Sequence, residues 1–303
     1  MSMTRAPGAA VWRPPALDDA VVSGYLRRLG LDPVAERADG PSVAQLHRLH
    51  AAHVERVPYE TLWIAMGETR GIDPVEAAGY VVAGRGGYCY HLNGAFSALL
   101  TTLGYQVTWH RAGVQGQASD PAGDSGNHLA LTTVVDGQGW WLDTGLGDGP
   151  LDPVPLVVGA FGPDDRFRLR RSDAVPDGWR FDHEPDGAFV GMDFPTATTG
   201  PTELVDQHVE LSTSPTSGMV RVVTAQHRTP SGVQIIRGRV LTDRPASGSG
   251  SGTVRQLSGY AEWRAVLREV FQLPLDDVPD ERVRAVWQRI EADHAAWERD
   301  HPS

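Results

Sequence analysis

The sequence contains a single cysteine and no lysine, and both absences exclude whole classes of chemistry. One thiol cannot form an internal disulfide, and it cannot supply the two or more thiolates of a thiolate zinc site. All 27 basic residues are arginine, which excludes a lysine Schiff base with pyridoxal phosphate and a P-loop of the usual kind. Because no cluster of metal ligands is evident either, we expect neither a metal nor pyridoxal phosphate as a cofactor.

Long apolar runs and a net positive charge are also absent. No apolar run approaches the roughly 18 to 20 residues of a membrane helix, and the N-terminus lacks the apolar core of a signal peptide. The formal net charge of −11 argues against a nucleic-acid-binding surface, which needs a basic footprint. The sequence therefore predicts a cytoplasmic protein that binds neither membranes nor nucleic acid.

The 303 residues have an ordinary globular composition, with 41% apolar and 8% aromatic residues, and are numerous enough for more than one domain. Helical periodicity and capping signals mark four early segments, at 21–29, 42–57, from 73, and 92–103. An alternating pattern predicts later strands, at 105–114, 128–135, 140–143, 167–169, 219–225 and 233–241. A Gly/Ser-rich, flexible loop is expected at 246–253, followed by helices at 260–271 and 282–297. This order predicts an α+β fold.

Cys89 lies where a glycine-rich loop meets the start of the predicted helix that continues through Leu92. Free backbone N–H groups at a helix N-terminus favour a thiolate, which is the nucleophilic form of cysteine. Gly86 and Gly87 let the backbone approach a substrate closely and expose N–H donors to an oxyanion. With a histidine to accept its proton, Cys89 is a candidate nucleophile.

Spacing alone does not choose the base among the eleven histidines. His91 is two residues from Cys89 and points away from it on a helix, and His110 has no evident carboxylate partner. His128 begins a predicted strand whose hairpin partner ends at Asp143, and that acid can orient an imidazole as catalytic triads require. His128 is therefore the preferred base and Asp143 its partner, with a structural histidine as the competing reading.

Several motifs in this order resemble the arylamine N-acetyltransferase family. The residues 85–93, Arg-Gly-Gly-Tyr-Cys-Tyr-His-Leu-Asn, are similar to the family's Arg-Gly-Gly-x-Cys-x-x-x-Asn motif. The segments 128–131, His-Leu-Ala-Leu, and 143–147, Asp-Thr-Gly-Leu-Gly, resemble its His-x-x-Leu strand and Asp-x-Gly-x-Gly turn. Upstream, Val-Pro-Tyr-Glu-Thr-Leu at 57–62 looks like its Ile-Pro-Phe-Glu-Asn-Leu segment. The resemblance runs from about residue 25 to residue 156.

The resemblance implies a helical domain at 1–104 carrying the nucleophile, a β-barrel domain at 105–205 carrying the histidine and aspartate, and a C-terminal α/β lid at 206–303. It implies a cysteine-proteinase-like core and a ping-pong reaction in which acyl-CoA loads the thiol and an amine then attacks the thioester. Cys89 is then the nucleophile, His128 the base and acid, and Asp143 the residue that orients His128. The implied partners are an acyl-CoA donor and a small-molecule amine acceptor.

The resemblance also assigns secondary roles, residue by residue. Glu60 and Arg85 match an ion pair that supports the active-site loop. The matching supporting positions are Glu60, Arg85, Gly86, Gly87 and Asn93. The expected substrate-pocket positions are Tyr59, Tyr88, Leu129, Gly145 and Leu146.

The positions that depart from the family's motifs are expected to affect which substrate is bound more than the catalytic chemistry. The substituted positions are Tyr59, Thr61, His91, Thr144 and Leu146. Because two of them are pocket positions, acetyl is not assumed to be the acyl group.

The triad is equally compatible with arylamine acetylation, with N-acylation of natural products in secondary metabolism, and with an amide synthase that uses a thioester on an acyl carrier protein. A cysteine-dependent amide hydrolase and a non-catalytic binding protein are further alternatives. A hydrolase would transfer the acyl group to water without needing an amine acceptor, and a reactive Cys89 thiol would exclude the binding protein.

Overall fold

The structure is a computed structural model that describes residues 12–185, 187–246 and 252–301. The helices of these residues are α1 Asp19–Arg28, α2 Pro33–Ala38, α3 Val43–Arg56, α4 Leu62–Ala65, α5 Pro74–Val82, α6 Cys89–Thr102, α7 Val205–Thr213, α8 Gly218–Arg221, α9 Tyr260–Glu269 and α10 Asp280–Asp300. The strands are β1 Tyr59–Glu60, β2 Val107–Gln115, β3 His128–Val135, β4 Gln138–Leu142, β5 Val154–Pro155, β6 Gly159–Phe161, β7 Phe167–Arg171, β8 Trp179–Asp182, β9 Gly191–Phe194, β10 Thr224–Thr229, β11 Gly232–Arg237, β12 Val240–Pro245 and β13 Thr253–Gln256. The α+β prediction is confirmed.

Two helices of the first hundred residues, α3 and α5, begin at the capping residues that the sequence predicts, whereas α1 begins two residues before its predicted start and α2 and α4 were not predicted. Ser42 accepts a hydrogen bond from the Gln45 backbone N–H at 3.2 Å and so caps α3. Asp73 caps α5, with Pro74 at the first helical position. The helix α6 lies at the centre of this part, because its residues from Cys89 to Leu100 are all buried.

The central part of the chain forms an eight-stranded antiparallel, barrel-like sheet in the order β5-β4-β3-β2-β9-β8-β7-β6. Strands β3 and β4 are joined by Asp136 and Gly137, which both have positive φ, 53° and 77°. Two such residues form the tight turn that matches the twist of a hairpin. The turn fixes the register of the two strands that carry His128 and lead into Asp143.

A second, five-stranded sheet in the order β1-β10-β11-β12-β13 joins distant parts of the chain. Its first strand is the Tyr59–Glu60 segment, and Tyr59 pairs with Gln226 of β10. This pairing crosses the predicted boundaries at residues 104 and 205. The three-domain division remains a prediction.

Two strand predictions in the last third were wrong. The segment 219–225 begins as α8, because Ser217 caps a short helix by accepting from the Met219 N–H at 3.3 Å, and the strand starts only at Thr224. The segment 233–241 is two strands, since the chain turns at Gly238, whose φ is 57°. Most of the predicted loop at 246–253 lies outside the described residues.

Within the described residues, no helix combines the length and the apolar character needed to cross a membrane.

A buried group of charges joins the two sheets at Asp148, which is fully buried. Its carboxylate pairs with Arg244 of β12 at 2.7 Å, accepts from the Ala188 N–H at 2.8 Å and lies 3.4 Å from His183 Nε2. Its carbonyl oxygen accepts from Arg228 of β10 at 2.6 Å. Burial alone would raise the pKa of this carboxyl, but His183, the Ala188 N–H and Arg244 together lower it from 3.8 to about 2.

Asp148→Asn should destabilise the protein near neutral pH by about 3 kcal/mol, because it removes the charge that Arg244 needs in a buried site. Since the folded pKa is depressed, the contribution is present above about pH 4 and is lost as pH falls toward about 2. The difference in the free energy of unfolding between wild type and variant should therefore shrink by ~1 kcal/mol between about pH 5 and pH 3. Urea titrations at each pH measure it, with the exposed Asp173→Asn as control. A constant difference would contradict this role.

Candidate active site

The β3–β4 hairpin brings His128 and Asp143 together. Leu131 of β3 pairs with Leu142 of β4, so Asp143, the next residue, stands opposite Ala130 and diagonal to His128 on the same face. His128 Nε2 lies 2.7 Å from Asp143 Oδ2, and both side chains are buried. Because Nε2 is used by the carboxylate, Nδ1 is the ring nitrogen that can face a thiol.

Cys89 is the first residue of α6 and is buried, with 2% exposure. Its Sγ lies 3.7 Å from the carbonyl oxygen of Asn127, the residue before His128. The first N–H groups of a helix have no intrahelical partner and carry a partial positive charge. They are thus suited to stabilise negative charge on the thiol or on an atom bonded to it.

The electrostatics of His128 favour its charged form. Burial by itself would lower the pKa of the imidazole, but the charges of Asp143 and Cys89 and its hydrogen bonds to both raise it to about 10. The ring is therefore an imidazolium across the physiological range. A positive charge hydrogen-bonded to the thiol favours the thiolate, the reactive form.

Asn93, one helical turn after Cys89, joins the nucleophile helix to the other two residues. Its Nδ2 donates to the Leu129 carbonyl oxygen at 2.6 Å and to Asp143 Oδ1 at 3.0 Å. Its Oδ1 accepts from the Thr144 N–H at 2.8 Å and from the Thr144 hydroxyl at 3.0 Å. The side chain is fully buried, so this single amide fixes α6, β3 and the turn after β4 relative to one another.

His50 on α3 is a site residue that the sequence reasoning missed. Its Nε2 accepts from the Asp143 backbone N–H at 3.1 Å, and its Nδ1 is 2.8 Å from the Leu151 carbonyl oxygen, to which it donates. Because Nε2 accepts a hydrogen bond it carries no proton, so the ring is neutral and orients the aspartate from behind. Burial, which lowers the pKa of His50, favours the same form. The sequence places His50 one turn after Leu46 on the apolar face of α3. A histidine with a purely structural role would have the same position, so this pattern could not identify His50 as a site residue.

The rival histidines lie away from the reacting atoms. His91 is buried against the rings of Trp63 and Tyr88, at 5.1 and 4.9 Å between centroids. His110 lies 2.9 Å from the Ala197 carbonyl oxygen and 2.7 Å from the Thr132 hydroxyl, so both of its ring nitrogens are used by groups other than a carboxylate.

Two glycines allow close approaches at the nucleophile. A Cβ on Gly145 would lie 2.6 Å from the Cys89 Cα, and one on Gly86 would lie 2.1 Å from the Pro58 carbonyl oxygen. Neither space can hold a larger residue without moving backbone. The next residue, Gly87, accepts from the Glu60 N–H at 2.8 Å, which attaches the loop before Cys89 to β1.

The expected direct ion pair between Glu60 and Arg85 is wrong. Glu60 is 3.6 Å from Arg70, and its other oxygen accepts from the Leu62 N–H at 2.6 Å. Arg85 pairs instead with Glu68 and Asp277, each at 3.1 Å. Because Arg70 also pairs with Glu68 at 2.7 Å and donates to the Gly86 carbonyl oxygen at 3.0 Å, it provides the support expected from Arg85.

A cleft of about 740 Å³ opens above the thiol, with Cys89 and His128 in its lining. Three of the predicted pocket residues line it: Tyr59, Gly145 and Leu146. The other two, Tyr88 and Leu129, do not, which corrects the prediction: both are fully buried in the core. The sequence could not show that Tyr88 is a core residue, because the partner of its hydroxyl, His208 of α7, is far away in the chain.

Among the residues that the structure describes, no three His, Cys, Asp or Glu side chains are placed to hold a metal ion.

A helical part that carries the cysteine, packed against a barrel-like sheet that carries the histidine and aspartate, defines a cysteine-proteinase-like fold. The N-acetyltransferase family model matches residues 42–279. The chain belongs to the arylamine N-acetyltransferase family, a family of acyltransferases, as its motifs predict.

Individual relatives cover different shares of the chain. Arylamine N-acetyltransferase 2 of Macaca mulatta is 26% identical over 248 residues, which is 74% of this chain and 83% of that protein. Proansamycin X synthase of Amycolatopsis mediterranei is 31% identical over 141 residues, which span 45% of this chain and about half, 52%, of the synthase. The structure of Mycobacterium marinum arylamine N-acetyltransferase in complex with CoA is 26% identical, with a TM-score of 0.76 over 89% of this chain and 98% of that one.

Asn93→Ala should lower the free energy of unfolding by about 2 to 4 kcal/mol and slow alkylation of Cys89, because it leaves buried donors and acceptors unpaired and frees the hairpin from α6. Urea unfolding and the rate of iodoacetamide labelling measure the two effects. The control is Ser97→Ala on the same helix, whose hydroxyl accepts from Trp109 at 2.9 Å, away from Asp143. That variant should lose stability and keep thiol reactivity. Equal labelling rates in the two variants would contradict the role of Asn93.

His128→Gln should slow iodoacetamide labelling of Cys89 at neutral pH at least tenfold, since the adjacent positive charge is removed. In wild type that charge disappears only as pH rises through about 10. The ratio of the wild-type rate to the variant rate should therefore persist above neutral pH and shrink as pH approaches about 10. His110→Gln is the matched control. A variant that labels like wild type near pH 7 would refute the pairing of His128 with the thiol.

Proposed function

We propose that this protein is an N-acyltransferase that moves a short acyl group from acyl-CoA to a small amine through a thioester on Cys89. The observation that carries the proposal is a buried thiol 3.7 Å from the carbonyl oxygen of the residue before His128, beside a His128–Asp143 pair joined at 2.7 Å, with Cys89 and His128 both lining a cleft of about 740 Å³. Pockets of this size suit small-molecule ligands. The likeness to an arylamine N-acetyltransferase solved with CoA supports a CoA thioester as donor.

In the first half-reaction, the Cys89 thiolate attacks the carbonyl carbon of the donor thioester. The developing oxyanion faces the N–H groups at the start of α6, which stabilise it without reorganisation. The C–S bond to CoA then breaks, and the CoA thiolate takes the proton from the His128 imidazolium. The products are free CoA, an acylated Cys89 and a neutral His128.

In the second half-reaction, the amine attacks the Cys89 thioester. The neutral His128 accepts the proton that the amine loses, and the C–S bond to Cys89 breaks to regenerate the thiolate–imidazolium pair. Asp143 keeps Nε2 occupied throughout, so the same ring nitrogen serves as acid and then as base. In this scheme Asp143, Asn93 and His50 position the ring and do not touch substrate.

A second candidate is amide synthesis in natural-product assembly, from a thioester held on an acyl carrier protein. The likeness to proansamycin X synthase favours it. The acyl-enzyme chemistry is the same in both cases, so the two functions differ in the donor that loads Cys89. A hydrolase would load Cys89 as well, but it would release the acyl group without an amine.

Incubation with a panel of acyl-CoA thioesters, without acceptor, should add the mass of one acyl group to the intact protein, and Cys89→Ala should show no addition. Intact-mass spectrometry identifies the preferred donor. An amine should then discharge the acyl group faster than water does.

If no CoA thioester labels a Cys89 that still reacts with iodoacetamide, the donor assignment is wrong and the carrier-bound thioester becomes the better hypothesis. If Cys89 is inert to both reagents, the nucleophile assignment itself fails.

A further inference from the structure

The carboxamide of Asn127, the residue before His128, takes the place of a backbone partner on a neighbouring strand. The pairing of β2 with β3 ends at Ala112 and His128. Two residues further along β2, the Val114 N–H donates to Asn127 Oδ1 at 2.7 Å, and Asn127 Nδ2 donates to the Val114 carbonyl oxygen at 2.9 Å. One side chain therefore meets both backbone groups of Val114, as a facing strand residue would.

The backbone turns immediately before this contact. Gly126 has a positive φ of 86°, a conformation that favours glycine, and its N–H donates to the Ala112 carbonyl oxygen at 3.0 Å. The Asn127 side chain then continues the contact with β2 that the backbone no longer makes. The start of β3 is thus attached to β2 through a carboxamide.

The peptide that Asn127 begins contacts the nucleophile helix. Cys89 Sγ lies 3.7 Å from the Asn127 carbonyl oxygen, and the hydroxyl of Tyr90, the next residue on α6, donates to the Gly126 carbonyl oxygen. Two consecutive carbonyls therefore contact two consecutive residues of α6. Because the same peptide leads directly into His128, its position sets where the imidazole enters the site.

The imidazole needs this second point of attachment. The bond between His128 Nε2 and Asp143 at 2.7 Å fixes one ring atom but leaves the ring free to pivot about it. The backbone before the ring is held by Val114, which itself pairs with Met192 of β9 on its other side. A displacement of about 1 Å at a reacting group can cost roughly 100-fold in rate, so the contact with Val114 bears directly on the chemistry.

We propose that Asn127 is a positioning residue for acyl transfer: its carboxamide fastens the start of β3 to Val114 and thereby holds the His128 imidazole within reach of Cys89 Sγ. The inference rests on the proposed function, in which these two residues react, and adds a third residue to it. Both ends of the carboxamide are used by Val114, so Asn127 acts through the peptide that it holds.

Asn127→Leu, which keeps the size of the side chain and removes both bonds, should slow iodoacetamide labelling of Cys89 roughly 10- to 100-fold at neutral pH. The matched control is Thr133→Val at the other end of the same two strands. It removes the hydroxyl that donates to the Gln106 carbonyl oxygen at 2.9 Å. Thr133→Val should lose stability in urea and label like wild type.

A double-variant cycle tests whether Asn127 acts through His128. In the His128→Gln background the imidazole is gone, so Asn127→Leu should change the labelling rate by less than about threefold. An equal effect in both backgrounds would indicate general loosening of the site and would overturn the proposal. It is also overturned if Asn127→Leu labels like wild type, or if Thr133→Val slows labelling as much.

Acylation from acyl-CoA gives the corresponding kinetic readout. Asn127→Leu should lower the rate of Cys89 acylation at saturating donor by the same factor and leave the donor concentration for half-maximal rate nearly unchanged. A change confined to that concentration would assign Asn127 to donor binding and overturn the proposal. If wild type is alkylated but forms no acyl-enzyme with any CoA thioester, the donor in the proposed function is wrong, and the labelling cycle still decides the role of Asn127.

Discussion

The side-chain amide of Asn93 is the contact on which the geometry of the site depends. It lies one turn after Cys89 and contacts the backbone of β3 at Leu129, the carboxylate of Asp143 and the backbone of Thr144. A carboxamide offers donors and an acceptor on one short side chain, so it can bind a carbonyl, a carboxylate and an N–H at once. The nucleophile and the His128–Asp143 pair come from different layers of the fold, and this amide sets the distance between them.

Two buried histidines next to Asp143 are held in opposite charge states by their surroundings. At His128 the Asp143 carboxylate and the neighbouring Cys89 outweigh burial and raise the pKa to about 10. His50 faces backbone groups, and burial lowers its pKa. Asp143 therefore receives a charged donor at Oδ2, while His50 accepts from its backbone N–H. This arrangement fixes the carboxylate from both sides and keeps the mobile proton at His128.

The floor and the walls of the cleft have different structural origins. The floor is built from α6 and the β3–β4 hairpin, which are held by short, buried hydrogen bonds. The walls come from the five-stranded sheet, from the segment after β8 and from α7 and α8. The buried Asp148 group connects the segment at Ala188 to β10 and β12. The reacting groups and the walls are therefore held by separate sets of contacts.

The sequence by itself predicted the capped helices, the β3–β4 hairpin and the residues that meet at its base, because these depend on local signals. Ser42, Asp73 and the Asp136-Gly137 turn act within a few residues of their own positions. The positions of Cys89, His128, Asp143 and Asn93 followed from motifs in a fixed order.

Tertiary structure alone decided which distant groups pair. It replaced the expected Glu60–Arg85 contact with Arg70, put Tyr88 against His208, and brought His50 to the site. Arginine pairs, buried histidines and strands that pair across more than 160 residues, as Tyr59 does with Gln226, leave no periodic pattern in the sequence. Their partners are fixed by packing, because a buried charge or ring nitrogen bonds to whichever group the fold brings within reach.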